Sequence, residues 1–428
     1  MKLKKISFKN FRLFENFELE FPDENFIVLI GNNGVGKSSI LDGISLCLEH
    51  FVGKITSDQI ESHDIRDSLR NFDINEQSNS AELDIVLKLT NQEILFNINK
   101  SRNIKGTGFD IKNEQFLKNL NKEIKIGKID AIPVFYYYDV KRSDYPGRTF
   151  NADKNLKNNL TDTYEKYQKQ SNIANFEEWF VAESIDESIQ RNENKDYESK
   201  GLRVSRNALN TFIANFDIGV SGFKLKKIEG QKLIPNTNLE YYFAAEKNNQ
   251  TLVFNQLSSG EKAIIHLIAD ISRRLSIANS HSTNSLNGEG IILIDEIDLH
   301  FHPSWQVQIV TALKATFPNI QFIITTHSPL VLSGVRKEEI ISLTAEGVIP
   351  NDEIPDIYGA TAEEIYEKIL FSSKQIEDFN EEQKKIDRLI RGGDYDQAEL
   401  ELEKLQSKVN SSPKWLMDYK KRIDFAKA

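Results

Sequence analysis

Cysteine is almost absent from this sequence, since its 428 residues include only Cys47. A single cysteine excludes an intramolecular disulfide and a zinc site built from several thiolates, and it fits a reducing compartment. We expect Cys47 to act as a small buried hydrophobe. With 21 glycines and 10 prolines, the chain also lacks the composition of collagen-like and low-complexity proteins.

Long apolar runs are also missing. No stretch approaches the roughly 18 to 20 apolar residues of a membrane-spanning helix, and residues 1–5 lack the apolar core of a signal peptide. We therefore expect a cytoplasmic protein without a membrane partner. Hydrophobic residues form 39% of the chain and charged residues 28%, which is ordinary for a folded protein of two or three domains.

Positive charge is in deficit, because 54 Lys and Arg face 64 Asp and Glu and leave a net charge of -10. Such a protein is not attracted as a whole to nucleic acid. Two basic clusters leave a local basic groove open, and they consist of Lys2, Lys4, Lys5, Lys9 and Arg12 at the start and Lys224, Lys226 and Lys227 in mid-chain. Each can equally be a solvated surface, which is the alternative that we favour.

A phosphate-binding loop (Walker A) is encoded by residues 31–38, Gly-Asn-Asn-Gly-Val-Gly-Lys-Ser, which match G-x-x-x-x-G-K-S/T. It follows an apolar run typical of a buried strand and precedes an amphipathic helix from about Lys37. Lys37 would reach the β- and γ-phosphates of ATP, and the Ser38 hydroxyl would bind Mg²⁺. The residues assigned to the nucleotide here are Asn33, Gly34, Val35, Gly36, Lys37, Ser38 and Ser39.

Two adjacent carboxylates follow a second apolar run, residues 291–294, in a Walker B arrangement. Carboxyl ends of strands in open α/β sheets are the usual ligand sites. Asp295 would therefore hold Mg²⁺, and Glu296 would position or deprotonate the attacking water, with Lys37 as a further catalytic group. Because Lys37 and Asp295 are separated by well over half of the chain, a large insertion lies between them.

Residues 257–262, Leu-Ser-Ser-Gly-Glu-Lys, resemble L-S-x-G-Q/E-K/R, the signature of ABC-type ATPases. In that superfamily the segment caps the γ-phosphate bound to the opposite subunit, so the resemblance implies that Ser258 and Gly260 act in trans. The alternative is an ordinary helix cap, because Ser258 followed by Glu261 also fits a capping box. Both can hold. His327, after a further apolar strand, matches the switch histidine that contacts the γ-phosphate in these ATPases.

Three segments resemble the soluble RecF/SMC-like branch of the ABC ATPases rather than transporter subunits. Residues 6–12 resemble its F-x-N-F-R start, which implies that Arg12 approaches the phosphates, and residues 31–34 resemble its G-x-N-G variant. Residues 295–303 resemble the D-E-x-D-x-H-L-H-P stretch of ATPases related to OLD nucleases and to the ATPase subunits of Septu and retron anti-phage systems. Asp298 would lie in the D-loop, beside the partner's nucleotide.

The resemblance implies an α/β fold, an ABC-type P-loop NTPase head with a mixed central sheet, an antiparallel β subdomain, a helical insertion and a helical C-terminal tail. We expect four regions. They are an N-terminal lobe with Walker A (1–150), the helical insertion (151–220), a C-terminal lobe with the signature, Walker B, D-loop and switch histidine (221–360), and a helical C-terminal region (361–428).

The residue at the Q-loop position is undecided, and two histidines are poor candidates for a metal site. A glutamine is missing where the Q-loop of this group would have one, and Asp139, Lys141 and Arg142 are the candidates to replace it. His300 and His302 lack a third ligand and make a poor metal site, so we assign them to D-loop structure.

The resemblance implies a slow ATPase that uses ATP and Mg²⁺ and closes as a dimer, or a higher oligomer, around composite sites. ATP-dependent engagement of two heads would regulate a separate effector, an HNH-type nuclease, in bacterial anti-phage defence. The segment after residue 330 lacks the strands of a nuclease domain, so a partner would cut nucleic acid. Two alternatives are a RecF-like DNA repair ATPase that binds DNA directly and a nucleotide-bound scaffold with little turnover.

Overall fold

A computed structural model describes residues 1–56, 69–89, 92–104, 107–112, 114–126, 128–129, 131–140, 173–229, 241–368, 377–407 and 414–427. The chain divides into two compact units, Met1–Ile365 and Tyr366–Ala428. Within the described ranges, no helix is long and apolar enough to cross a membrane.

The described part of the chain contains both strands and helices. The strands of the described residues are β1 (Lys2–Phe11), β2 (Phe14–Glu20), β3 (Phe26–Gly31), β4 (Ser80–Leu89), β5 (Gln92–Ser101), β6 (Gly108–Lys112), β7 (Val134–Tyr138), β8 (Ser221–Lys227), β9 (Tyr241–Lys247), β10 (Gln250–Val253), β11 (Gly290–Ile294), β12 (Ile320–Thr325), β13 (Ile340–Leu343) and β14 (Val348–Ile349). The helices are α1 (Lys37–Thr56), α2 (Glu114–Lys125), α3 (Ile173–Gln190), α4 (Lys200–Ala214), α5 (Ser259–Ala278), α6 (Pro303–Thr316), α7 (Pro329–Leu332), α8 (Ala362–Lys368), α9 (Glu377–Gly392), α10 (Tyr395–Ser407) and α11 (Lys414–Lys427).

The central sheet has the order β14-β13-β3-β12-β11-β7. All neighbours are parallel except β14, which is an antiparallel edge strand. β11 and β12 are buried along their whole length, as expected for strands covered on both faces. Because β12 lies between β3 and β11, the segments that leave these three strands meet at one edge of the sheet.

A second, antiparallel sheet has the order β2-β1-β4-β5-β6. Its strands alternate buried apolar and exposed polar residues, which is typical of a sheet with one solvated face. Helix α1 packs against strands of both this sheet and the central sheet. The expected α/β fold with a mixed central sheet and an antiparallel β subdomain is therefore confirmed.

The described part of the predicted insertion, from residue 173, contains α3 and α4. Helix α4 packs on α5 and α6, and the Ser272 hydroxyl on α5 donates to the Ser205 hydroxyl on α4 at 3.1 Å. Helix α3 packs on β9 of a third sheet, ordered β10-β9-β8. These helices therefore rest on the segment that carries the signature.

The C-terminal unit contains a cluster of buried side chains from α9, α10 and α11. Its members are Ile386, Ala398, Leu402, Leu405, Leu416, Tyr419 and Ile423. Gly393, with φ of +79°, and Asp394 separate α9 from α10, and Asp396 pairs with Lys427 at 2.7 Å.

Cys47 lies on α1 with only 1% of its surface exposed. Burial raises the pKa of its thiol, so the reactive thiolate does not form at neutral pH. The expectation that Cys47 is a small buried hydrophobe agrees with this environment.

Most members of the two basic clusters are paired with carboxylates. Lys2 and Lys4 both contact Asp23, at 2.8 and 2.9 Å, and Lys224 contacts Glu246 at 2.6 Å. Lys5 likewise pairs with Glu18, and Arg12 with Asp42 and Asp73. This pairing is the pattern of a solvated surface with mixed charge rather than of a basic groove.

Candidate nucleotide site

The loop between β3 and α1 is shaped by its glycines. Gly31, Gly34 and Gly36 have φ angles of +146°, +84° and +100°, in the left-handed region that favours glycine. A Cβ on Gly36 would also lie 2.4 Å from Cζ of Phe14, so no larger residue fits there without a shift of that ring. Asn33, Gly34 and Ser38 are exposed, whereas Val35 and Ser39 are half-buried.

Lys37 is buried at the start of α1, and its ammonium group faces back into the loop. Nζ donates to the carbonyl oxygens of Gly31 and Asn32 at 2.9 and 3.0 Å. Burial lowers the pKa of Lys37, while the charges of Asp295 and Glu296 act against that shift. The lysine from Walker A and the carboxylates from Walker B therefore share one electrostatic environment.

Asp295 and Glu296 follow β11 and are held by the end of β12. The Thr325 hydroxyl donates to Oδ1 of Asp295 at 2.5 Å and accepts from the backbone N–H of Glu296 at 2.7 Å. Glu296 has a φ of +47°, which is unusual for a residue other than glycine. Such strain is tolerated where the surrounding structure fixes the backbone, and it is common at functional sites.

His327 leaves β12 beside these groups and is half-buried. Burial lowers its pKa, and the Lys37 charge lowers it further, whereas Glu296, Asp298 and Asp295 raise it. Asp298 accepts a hydrogen bond from the Thr326 hydroxyl at 2.5 Å. The structure thus brings Lys37 and His327 together with all three predicted acidic residues.

The signature residues cap the N-terminus of α5. Ser258 is the N-cap, and its N–H and hydroxyl both donate to Oε2 of Glu261 at 2.8 Å. The N–H of Glu261 returns a bond to the Ser258 hydroxyl at 3.3 Å, so the expected capping box is confirmed. Lys247 of β9 contacts the other Glu261 oxygen at 2.6 Å. Gly260 is buried, while Ser258 and Ser259 are exposed.

Arg12 lies beside the first turns of α1, but acidic side chains engage it. Its Nε donates to Asp73 at 2.9 Å, its Nη1 donates to Asp42, and the Ser39 hydroxyl lies 3.5 Å away. Asp42 also forms a hydrogen bond with Tyr137. Burial and nearby carboxylates raise the pKa of Tyr137. Sequence reasoning missed Asp42, although its position four residues after Ser38 places both on one helix face.

The Mg²⁺ ligands predicted from the sequence suit that ion chemically. Mg²⁺ prefers hard oxygen donors and keeps several waters, so the exposed Ser38 hydroxyl and the Asp295 carboxylate are appropriate ligands beside ATP phosphates. His302 instead caps α6, because its Nδ1 accepts from the Ser304 N–H at 3.3 Å. In the ranges that the structure describes, no group of three His, Cys, Asp or Glu could hold a metal.

One Q-loop candidate can be placed. Asp139 directly follows β7, and the preceding carbonyl, of Tyr138, accepts from the N–H of Asp295 at 2.9 Å. Asp139 therefore lies next to the start of Walker B. Lys141 and Arg142 lie outside the described residues.

A buried ionic group joins α5 to β7. Arg274 donates to Asp270 at 2.9 Å, and the Tyr138 hydroxyl donates to the same carboxylate at 2.7 Å. Arg274 also stacks on Tyr136, 3.7 Å from the ring centroid. Although burial opposes ionisation of Asp270, the Arg274 charge keeps its pKa at about 2. The only sequence signal was the spacing of Asp270 and Arg274 by four residues within an apolar helix.

His266, one turn before Asp270, makes stability depend on pH. Burial lowers its pKa from 6.5 to about 4, so the folded protein keeps it neutral while the unfolded chain binds a proton. The contribution of neutral His266 to the free energy of unfolding is fully present above pH 6.5. It is lost as the pH falls toward 4, by about 3 kcal/mol. We expect His266→Leu to flatten this slope, measured by urea unfolding at about pH 7 and about pH 4.5.

Glu49 contributes an opposite slope, because burial raises its pKa to about 7. Both proteins share the Glu49 contribution. It therefore cancels when the pH dependence of the free energy of unfolding of His266→Leu is subtracted from that of wild type. Equal slopes in the two proteins would contradict the prediction.

Known proteins resemble most of this chain. Residues 26–333 match a family model described as "AAA domain, putative AbiEii toxin, Type IV TA system". The "Retron Vc95 probable ATPase" of Vibrio cholerae serotype O1 biovar El Tor is 30% identical over 393 residues, covering 79% of this chain and 73% of that protein. A "Septu protein PtuA" of Bacillus thuringiensis is 26% identical over 362 residues, covering 81% and 79%. A solved SMC head bound to the C-winged helix domain of ScpA has a TM-score of 0.46 at 15% identity, covering 82% of this chain and 98% of that chain.

Proposed function

This chain belongs to the AAA-domain family and is a relative of the retron and Septu proteins, and from that premise we propose a slow, Mg²⁺-dependent ATPase built on a composite site. The observation that carries the proposal is the convergence of Lys37, Glu296 and His327 beside the loop between β3 and α1. Lys37 would hold the β- and γ-phosphates. Glu296 would position or deprotonate the attacking water, and His327 would contact the γ-phosphate.

Bound ATP would bring Mg²⁺ to Ser38 and Asp295, where the ion would offset the charge of the phosphates. Thr325 fixes both the Asp295 carboxylate and the Glu296 backbone. Asp295 would then be held for Mg²⁺ binding, and the Glu296 carboxylate would remain available to the attacking water. Burial and the Lys37 charge lower the pKa of His327, which favours the neutral imidazole. It can therefore donate one hydrogen bond to a phosphate oxygen without carrying a charge.

We assign the signature turn to the nucleotide of a second subunit. The exposed Ser258 and Ser259 begin α5, and a helix N-terminus attracts phosphate through its unpaired N–H groups. In each composite site, one subunit would supply Lys37 and Glu296, and the other would supply Ser258 and Gly260. ATP would then hold two heads together in a head-to-tail pair, and hydrolysis would release them.

The biological use that we propose is regulation of a separate effector in bacterial anti-phage defence, with an HNH-type nuclease as the effector. The relatives named as a retron ATPase and a Septu protein support this use. The paired charges of the basic clusters favour it over the RecF-like alternative, which needs a basic DNA-binding surface. ATP-dependent, salt-sensitive DNA binding would support that alternative instead.

Light scattering of purified Glu296→Gln protein tests the composite site. Addition of ATP and Mg²⁺ should raise the mass by one dimerisation step, because ATP binds at the interface and is not cleaved. The same protein with Ser258→Arg should stay at its starting mass, since the larger cation obstructs the turn that faces the partner's phosphate. Assembly that ignores Ser258, or a mass that ignores ATP, would contradict the dimer cycle and favour the scaffold alternative.

A further inference from the structure

The segment that leads from Asp298 into the first turn of α6, residues 298–305 and called the link below, has no assigned chemistry beyond Asp298. It is held at several points by bonds within the subunit. The Gln306 amide donates to the carbonyl of Phe301 at 2.9 Å, and the Ser328 hydroxyl donates to Gln306 at 2.6 Å. His300 has a φ of +67°, which turns the chain sharply at this point. The link therefore has one defined conformation.

Gly260 of the signature turn packs directly against this link. A Cβ on Gly260 would lie 2.8 Å from the carbonyl oxygen of His300 and 2.8 Å from Cζ3 of Trp305. Real Cβ atoms do not approach other atoms so closely, so glycine is required for this contact. The first turn of α5 thus touches the link in its own subunit.

Trp305 is also held from its other side. Its indole Nε1 donates to the carbonyl of Asp217 at 2.9 Å, and its ring lies 6.0 Å from that of Phe216. The N–H of Asp217 in turn donates to Gln308 of α6 at 2.9 Å. The indole is therefore fixed between the end of α4 and the start of α5.

We propose that Trp305 is a positioning residue that holds the signature turn at a fixed place relative to Asp298. This inference rests on the proposed function, in which Ser258, Gly260 and Asp298 all face the partner's nucleotide. A tryptophan suits the task because it offers a large rigid face to glycine and one N–H that fixes its orientation. The signature turn and the link then move as one rigid unit, so both would contact the partner's nucleotide at the same time.

Mixed pairs of differently tagged subunits test this role. The first subunit carries Lys37→Ala, and the second keeps Lys37 and carries Glu296→Gln. ATP then occupies only the loop of the second subunit, which faces the signature turn of the first. Trp305→Ala is placed on either subunit, and ATP-dependent association is measured by capturing one tag and detecting the other.

We expect Trp305→Ala on the first subunit to weaken association about 10-fold, since residues that touch neither ligand can change the coupling between sites by up to about 30-fold. On the second subunit, whose signature turn faces the empty loop, it should leave association unchanged. Trp305→Phe on the first subunit should recover part of the loss, because it keeps an aromatic face but lacks the N–H. A general folding defect would weaken both placements equally.

Equal weakening in the two placements, or none in either, would overturn the role of Trp305. Failure of the pair that carries no Trp305 substitution would instead overturn the composite site itself. Thermal unfolding of each variant, with binding of a fluorescent ATP analogue to the Lys37-containing subunit, reports whether its own loop stays intact.

Discussion

Replacement of Glu296 by glutamine is expected to lower ATP turnover by about 10²- to 10⁴-fold while nucleotide binding persists. The amide keeps the size of the side chain and suits the same backbone, but it cannot accept a proton from water. Phosphate release under excess ATP measures turnover, and a fluorescent ATP analogue measures binding.

Glu246→Gln provides a matched control, because Glu246 is an exposed carboxylate on β9 that pairs with Lys224. Its turnover should equal that of wild type. If Glu296→Gln keeps turnover within about twofold of wild type, where loss of a general base costs at least about 100-fold, Glu296 is not the base. The scaffold alternative would then gain support.

Replacement of Arg274 by leucine is expected to lower the free energy of unfolding by about 3 to 5 kcal/mol. The substitution removes the cation that contacts the buried Asp270 carboxylate at 2.9 Å, and the neutral Tyr138 hydroxyl supplies no opposite charge. Urea unfolding at pH 7 measures the change. Lys224→Ala, at an exposed ion pair with Glu246, should cost no more than about 1 kcal/mol.

A double variant, Asp270→Leu with Arg274→Leu, separates the cost of an isolated charge from the value of the pair. It should be more stable than Arg274→Leu alone, because both buried charges are gone. If the double variant is less stable than wild type by the sum of the losses in Asp270→Leu and Arg274→Leu, the two residues act independently and the ionic group is not a unit.

The sequence was most informative where chemistry fixes local spacing. A loop that wraps phosphates needs glycines before Lys37, and a buried strand that ends in Asp295 and Glu296 has few other uses. The three strands that carry these motifs lie side by side, so the carboxyl ends converge as expected. The family resemblance then supplied the subclass, which the matched relatives confirm.

Contacts between distant segments could not be predicted from the sequence. Tyr138 and Asp270 are 132 positions apart, and a tyrosine in an apolar strand gives no sign of its partner. Gly260 matched the signature motif, yet its packing against Trp305 follows from how α4, α5 and α6 meet. Arg12 was expected near phosphate, and its contact with Asp73 depends on the return of residues 69–89 to the tip of β1.

The burial of Cys47 makes this protein convenient for site-specific labelling. Its thiol is the only one in the sequence, lies inside α1 and resists ionisation, so maleimide dyes should leave it unmodified. A cysteine introduced at an exposed site such as Glu246 would then be the single reactive thiol. Fluorophores on two subunits could follow the opening and closing of heads in real time without removal of the native cysteine.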